Sequence, residues 1–202
     1  VMLDQKIAFR RFYLAAFFLP SITSMVVVAI VWQWIYNPDY GLLNYFLSLF
    51  GIKGPKWLLD ANTSLISLAI VGIWKRAGYD MIIFLSGLQG ISNSYYEASM
   101  LDGANKWRQF RYITLPMLKP TTFFVFVMAV ISSFQVFDQV MLMTKGGPGR
   151  SSSVLVPYLY QNAFTYFKMG YASAQAWIML VVAFAIILIL FKFLKFGESN
   201  NS

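Results

Sequence analysis

Four apolar stretches, each long enough to cross a bilayer as a helix, alternate with polar or charged segments along the chain. Residues 12–36 carry no charge at all. Residues 121–141 follow Pro120, and residues 172–191 form the most apolar stretch, with Gln175 its main polar exception. Residues 63–87 are apolar at both ends and interrupted by Lys75, Arg76 and Asp80. A bilayer core about 30 Å thick takes about 20 residues of helix. The pattern therefore predicts an all-α, polytopic membrane protein with four visible transmembrane helices.

The connecting segments have patterns of their own. Residues 41–52 are apolar, with Asn44 and Ser48 four apart, and read as a helix lying along the interface. Residues 157–168 place Pro157 at a first helical position, followed by Tyr158, Tyr160, Phe164, Tyr166 and Phe167. Trp32, Trp34, Tyr36 and Trp57 fall near the same boundary, at the headgroup depth that Trp and Tyr favour. Two roles stay open for these segments: passive interfacial anchors, or docking of a partner outside the membrane.

Residues 89–118 form a charged, aromatic island between the second and third stretches. Ser94 and Glu97 have capping-box spacing, so a short helix is predicted to begin there. Gly103 can end it in a left-handed conformation. A second helix is predicted over 106–113, with Trp107, Phe110 and Ile113 as one apolar stripe. Leu115 and Pro116 are expected to break the chain before it re-enters the bilayer.

Composition narrows the function. Of 202 residues, 58% are hydrophobic and 12% are charged, about half the usual charged fraction of a soluble domain. The chain has no Cys and no His, which excludes disulfides, thiolate nucleophiles, His-based general bases and nearly every transition-metal site. A net charge of +8 raises nucleic acid or anionic lipid as a partner. The basic residues sort by side instead. Alternating crossings put Lys6, Arg10, Arg11, Lys106, Arg108, Arg111, Lys119, Lys192 and Lys195 on one face and Lys53, Lys56, Lys145, Arg150 and Lys168 on the other. The richer face is expected to be cytoplasmic, with both visible termini and the island. Nucleic acid is not expected as a partner.

Charges inside a span are costly, about 2.5–3.5 kcal/mol each at a helix centre. Arg76 and Asp80 are four apart and can pair on one face. Alternatively, Gly78, Tyr79 and Asp80 line a solute path. Ser133, Gln135 and Asp138, with Ser132 and Gln139, make the outer half of the third span polar. They are expected to face the bundle, either contacting solute or bonding neighbouring helices.

In the island, Glu97-Ala98-Ser99, Gly103 and Ile113-Thr114-Leu115-Pro116 stand at one joint spacing that capping chemistry alone does not require. This spacing resembles the cytoplasmic EAA loop of permease subunits in binding-protein-dependent ABC importers. Residues 136–148, the serines at 151–153 and the tyrosine-rich segment beyond are similar to a carbohydrate-uptake signature of sugar and glycerol-phosphate permeases. Trp32, Asn37-Pro38-Asp39, Gly41 to Asn44 and Trp57-Leu58 match the maltodextrin-type first permease. The resemblance covers nearly the whole chain and implies a bacterial inner-membrane transport domain over 1–202, coupled through residues 89–118.

By that resemblance Glu97, Ala98, Ser99, Asp102, Gly103, Ile113, Leu115 and Pro116 contact an ABC ATPase subunit. A second permease subunit and an extracytoplasmic solute-binding protein complete the implied machine, within membrane lipid. Its solute is a sugar or related polyol. No Walker A sequence occurs, so ATP is expected to bind a partner and the chain itself to be a transport subunit without a cofactor or metal. Two departures stand out. Ser99 replaces the second alanine of the motif, and four spans are visible where such permeases have six or more. The chain is therefore expected to be the C-terminal part of a longer subunit with a six-helix core. A different reading, an ion-coupled secondary transporter or channel using Asp80, Asp138, Lys75 and Arg76, leaves the island's spacing without a purpose.

Overall fold

The computed structural model describes residues 9–198. Every regular element among them is helical. In order they are α1 (Arg10–Ile22), α2 (Met25–Ile35), α3 (Leu42–Leu49), a 3-10 turn at Trp57–Leu59, α4 (Ser64–Gln89), α5 (Asn93–Leu101) and α6 (Lys106–Gln109). A π-helical stretch (Phe110–Thr114) joins α6 to α7 (Leu115–Met117), and α8 (Lys119–Phe134) and α9 (Asp138–Met143) follow. The chain closes with α10 (Leu155–Tyr160), a second π-helical stretch (Gln161–Thr165) and α11 (Met169–Glu198). Lys6, used in the charge count, lies outside the described residues.

The four predicted spans map onto helices in different ways. Among the described residues only α11 is both unbroken and apolar enough to cross a membrane alone, over Met169–Lys192 with a mean hydropathy of 2.7. Residues 12–36 are two helices, broken between Ile22 and Met25. The pair passes as one span only if the break is included. Residues 63–87 correspond to α4, whose 26 residues extend about 39 Å at 1.5 Å each, ample for a bilayer. Residues 121–141 are α8, an irregular segment at 135–137 and α9, so the span's polar half leaves the helix at Phe134.

The chain divides into two compact units, one gathering Arg76–Ala129 with the chain through Ser21, the other Ile22–Lys75 with the chain from Val130. In the first unit α4 meets α1 at Gly78. A Cβ added there would fall on the Phe17 carbonyl oxygen and lie 2.8 Å from Phe18 Cα. Gly87 plays the same part toward α8, where an added Cβ would lie 2.5 Å from Thr121 Oγ1.

The second unit holds the core of buried side chains. Val28, Ala29 and Tyr36 pack with Leu68 and Val71 of α4 and with Val140 and Met143 of α9. Polar side chains within and beside it reach backbone carbonyls. Tyr36 Oη donates to the Ser67 carbonyl at 3.0 Å, and Gln33 Nε2 donates to the Leu142 and Met143 carbonyls at 3.0 and 3.2 Å. Gln139 of α9 donates to the Leu68 carbonyl, beside Gly72. Lys75 Nζ donates to the Thr23 carbonyl at 2.6 Å, so this intramembrane charge meets a carbonyl at the α1–α2 break.

One local expectation is corrected and another met. Pro157 sits at the third position of α10 rather than the first, because the helix already starts at Leu155 after Val154. Within the apolar segment 41–52 a helix does form, as α3, with Gly41 as its N-cap. Only a glycine fits there, since an added Cβ would lie 2.6 Å from the Ile35 carbonyl oxygen.

Candidate functional site

The island folds as helix, turn, helix, but its first cap is not the predicted one. α5 begins after Ser92, whose Oγ accepts from the Ser94 backbone N–H at 3.3 Å. Because α4 ends at Gln89 and the chain turns at once, the helix starts earlier and Ser94 is already inside it. Glu97 is thereby released from capping. It lies exposed, and its carboxylate makes no hydrogen bond or ion pair among the described residues.

The turn matches expectation. Gly103 has φ +72°, its N–H reaches the Met100 carbonyl at 3.1 Å, and the Ala104 N–H reaches the Ser99 carbonyl at 2.9 Å. This pair of bonds is a Schellman closure, which satisfies the last carbonyls of α5. Asn105 then caps α6, its Oδ1 accepting from the Arg108 N–H at 2.9 Å.

A side-chain clamp joins the two arms. Gln109 Nε2 donates to Ser99 Oγ at 2.9 Å and to the Tyr96 carbonyl at 3.2 Å, while Ser99 Oγ donates to that same carbonyl at 2.8 Å. Farther along, Tyr96 Oη and Thr114 Oγ1 lie 2.9 Å apart, with Thr114 buried. Neither Gln109 nor Tyr96 stood out in the sequence, and Thr114 did so only as a member of the run from Ile113 to Pro116. Their contacts cross the hairpin, where no helical or strand period connects them.

Facing outward are Glu97, Ala98, Leu101 and Asp102, with Leu101 91% exposed at the tip. The predicted stripe of Trp107, Phe110 and Ile113 does not hold as one face. Phe110 and Ile113 are half-buried, while Trp107 is 70% exposed and stacks on Phe110 at 5.8 Å. The π-helical stretch at 110–114 widens the turn and shifts the 3.6-residue register on which the stripe depended. Pro116 does not break the chain either. The helix passes through it to Met117, and the path bends by 59° into α8 around buried Leu118. Proline disrupts a helix by losing an N–H and crowding an earlier carbonyl, and the preceding π turn loosens that crowding. Ile113 and Pro116 are half-buried and Leu115 is exposed.

The solute-path candidates fall in both units. In the first, Arg76 Nε pairs with Asp80 Oδ2 at 3.0 Å, and Arg76 Nη1 donates to the Met128 carbonyl at 3.2 Å. Asp80 Oδ1 is buried without a hydrogen-bond partner. Gly78 is closed off by α1, and Tyr79 is exposed. In the second unit Ser133 Oγ is spent on the Val130 carbonyl at 2.8 Å. Gln135 is exposed in the irregular segment, and Asp138 is exposed in the first turn of α9. A carboxylate there complements the helix dipole.

The glycine-proline turn and serines beyond α9 form a locked loop. Buried Ser152 donates to the Gly147 carbonyl at 2.6 Å and lies 2.8 Å from Thr144 Oγ1. Ser151 Oγ lies 2.8 Å from Ser64 Oγ at the start of α4. Beyond it, Asn162 is buried in the second π-helical stretch, bonded to the Tyr158 carbonyl at 2.9 Å and to Gln175 of α11 at 3.4 Å.

Comparison with known proteins adds to this geometry. The family model for binding-protein-dependent transport system inner membrane components matches residues 4–196. A probable ABC transporter permease protein of Bacillus subtilis, YurN, is 41% identical, with 94% of this chain and 65% of that protein aligned. The arabinooligosaccharides transport system permease AraP of the same organism is 33% identical over 95% of this chain and 62% of its own length. The sn-glycerol-3-phosphate transport system permease UgpA of Agrobacterium fabrum is 32% identical over 95% and 66%. The chain thus spans less than two thirds of each of these relatives. Among solved structures, a bacterial alginate ABC transporter in complex with alginate pentasaccharide-bound periplasmic protein superposes with a TM-score of 0.83. Its identity to this chain is 26%, with 94% of this chain and 67% of that one covered.

Proposed function

The chain belongs to the family of binding-protein-dependent transport system inner membrane components, and from that premise we propose that it is a permease subunit of an ATP-driven importer for sugars or related polyols. One observation carries the reading most directly. Residues 92–117 form a hairpin held together by its own side chains, and the outward face of its first arm, Glu97, Ala98, Leu101 and Asp102, is exposed with nothing covering it. A rigid hairpin transmits displacement where a flexible loop absorbs it.

In this reading Glu97, Ala98 and Asp102 contact a separate ATPase subunit, which binds ATP. Ser99 and Gly103 shape the hairpin, and Ile113, Leu115 and Pro116 carry its movement into α8. The island faces the cytoplasm, as do the start of α1 and the end of α11. A second permease subunit and a binding protein complete the pathway, and the chain catalyses no reaction of its own. The similarity to AraP, UgpA and the alginate transporter supports an oligosaccharide, sugar acid or polyol phosphate as solute. In the first unit Tyr79 and Asp80, and in the second Gln135 and Asp138, are the side chains each unit offers to it. Gly78 and Ser133 serve there through close packing and a spent hydroxyl.

The test is uptake in membrane vesicles together with co-purification of the ATPase. Glu97→Lys and Gly103→Pro are expected to abolish both ATPase retention and ATP-dependent uptake. Uptake driven by an ion gradient and indifferent to these changes would sink the proposal in favour of a secondary transporter.

A further inference from the structure

Residues 36–63 join α2 to α4 and fold back to leave an open groove of about 680 Å³. Two of its neutral polar side chains are already used. Asn44 Nδ2 donates to the Pro38 and Pro55 carbonyls at 3.0 and 3.3 Å, and its Oδ1 accepts from Trp57 Nε1 at 2.7 Å. Ser48 Oγ donates to the Tyr45 carbonyl at 2.7 Å.

What the wall still offers is charge and aromatic surface. Lys53 and Lys56 line it, and neither ammonium group makes a hydrogen bond or ion pair among the described residues. Asp39 is its only carboxylate, and Trp34, Tyr40 and Tyr45 supply the rings. The amide of Asn44 and the hydroxyl of Ser48 are closed to a sugar, and the ammonium groups are the charged donors that remain. Two ammonium groups against one carboxylate favour an anion.

Beside the groove, α3 and the turn after it expose an apolar flank. Phe46, Leu49, Phe50 and Ile52 are 50%, 62%, 80% and 55% exposed. Uncovered apolar surface next to free lysines, bordered by Trp and Tyr, suits the boundary between lipid headgroups and acyl chains. A soluble phosphate ester would use the lysines and leave this flank in water. We propose that the groove binds the phosphodiester headgroup of an anionic phospholipid, with Lys53 and Lys56 on the phosphate and the α3 flank against the acyl chains. The proposal rests on α1–α2 and α4 being spans, which puts residues 36–63 at a membrane surface, and not on the identity of the solute.

The experiment is lipid retention by the detergent-purified chain, read by native mass spectrometry with phosphatidylglycerol and phosphatidylcholine in parallel. Phosphatidylglycerol should be retained about tenfold better, and the preference should weaken with rising salt. K53Q/K56Q should remove the preference and K53R/K56R should keep it. Equal retention of the two lipids, a preference untouched by salt, or a folded K53Q/K56Q chain that still prefers phosphatidylglycerol overturns the proposal. Displacement by soluble glycerol phosphate at equal concentration also overturns it, assigning the groove to a free phosphate ester. Loss of ATP-dependent uptake with the lipid preference intact would overturn the import reading alone.

Discussion

Gln109 Nε2 donates to Ser99 Oγ at 2.9 Å, so the serine that replaces the motif's second alanine ties the two arms of the island together. A smaller residue would permit close packing but could not accept this bond. The departure from the motif is therefore a structural gain for the hairpin. Ser99→Ala removes one acceptor and leaves Gln109 the Tyr96 carbonyl at 3.2 Å, whereas Gln109→Leu removes both bonds. At about 1 kcal/mol per net hydrogen bond, Gln109→Leu should loosen the hairpin more than Ser99→Ala. Amide hydrogen exchange over 93–104 measures this, with a rise of roughly fivefold expected for Ser99→Ala. Identical exchange in both variants and the parent would show that the clamp does not hold the arms.

Gly103 is the position where backbone geometry restricts the choice of residue most sharply. A left-handed φ of +72° costs an ordinary L-residue about 1–2 kcal/mol, while asparagine tolerates it better. Proline cannot adopt it and also removes the N–H that reaches the Met100 carbonyl. Hairpin stability and ATPase retention should fall in the order Gly, Asn, Ala, Pro. Proteolytic cleavage within 100–106 gives the stability order, and a Gly103→Ala chain as resistant as the parent would contradict it.

The helical membrane architecture was legible because long apolar runs have few other places to go. Gly103 was legible for a similar reason, since a glycine between two helical patterns marks a left-handed turn. Other features depended on partners far along the chain. The break after Ile22 has no glycine at Thr23 or Ser24, and its carbonyl is met by Lys75, more than fifty residues away. The choice of Ser92 over Ser94 as cap was set by where α4 stops, which local spacing does not contain. Trp107 left its stripe because a π-helical stretch changed the register, and no single residue type announces one. The charges of the second span were legible as a pair, but the second bond of Arg76, to Met128, was not.

At Gly78, close packing makes a strong claim that a solute-path role would not. An alanine Cβ there would collide with the backbone of α1 rather than with a flexible side chain. Backbone cannot step aside, so Gly78→Ala should destabilise by about 1–3 kcal/mol through overpacking. A thermal melt of the detergent-purified chain should show a clear loss. Unchanged melting with altered solute selectivity would instead assign Gly78 to an open path.

Arg76 and Asp80 test whether an intramembrane charge pair is held for the fold or for the solute. Each is about three-quarters buried, at 25% and 22% side-chain exposure, and they share a bond of 3.0 Å. Removing one charge strands the other inside a span, which costs a few kcal/mol, while removing both strands neither. Arg76→Gln and Asp80→Asn should thus each lower stability, and the double variant should recover part of the loss. A coupling energy of about 1–3 kcal/mol is expected from the cycle. Asp80 Oδ1 sharpens the comparison, because it is buried without a hydrogen-bond partner and would meet a solute hydroxyl only where the packing around it opens. If Asp80 also meets the solute, the double variant should regain its melting temperature but not its uptake, with the defect appearing in KM. Recovery of both would confine the pair to structure, and additive losses would show that the two charges do not support each other.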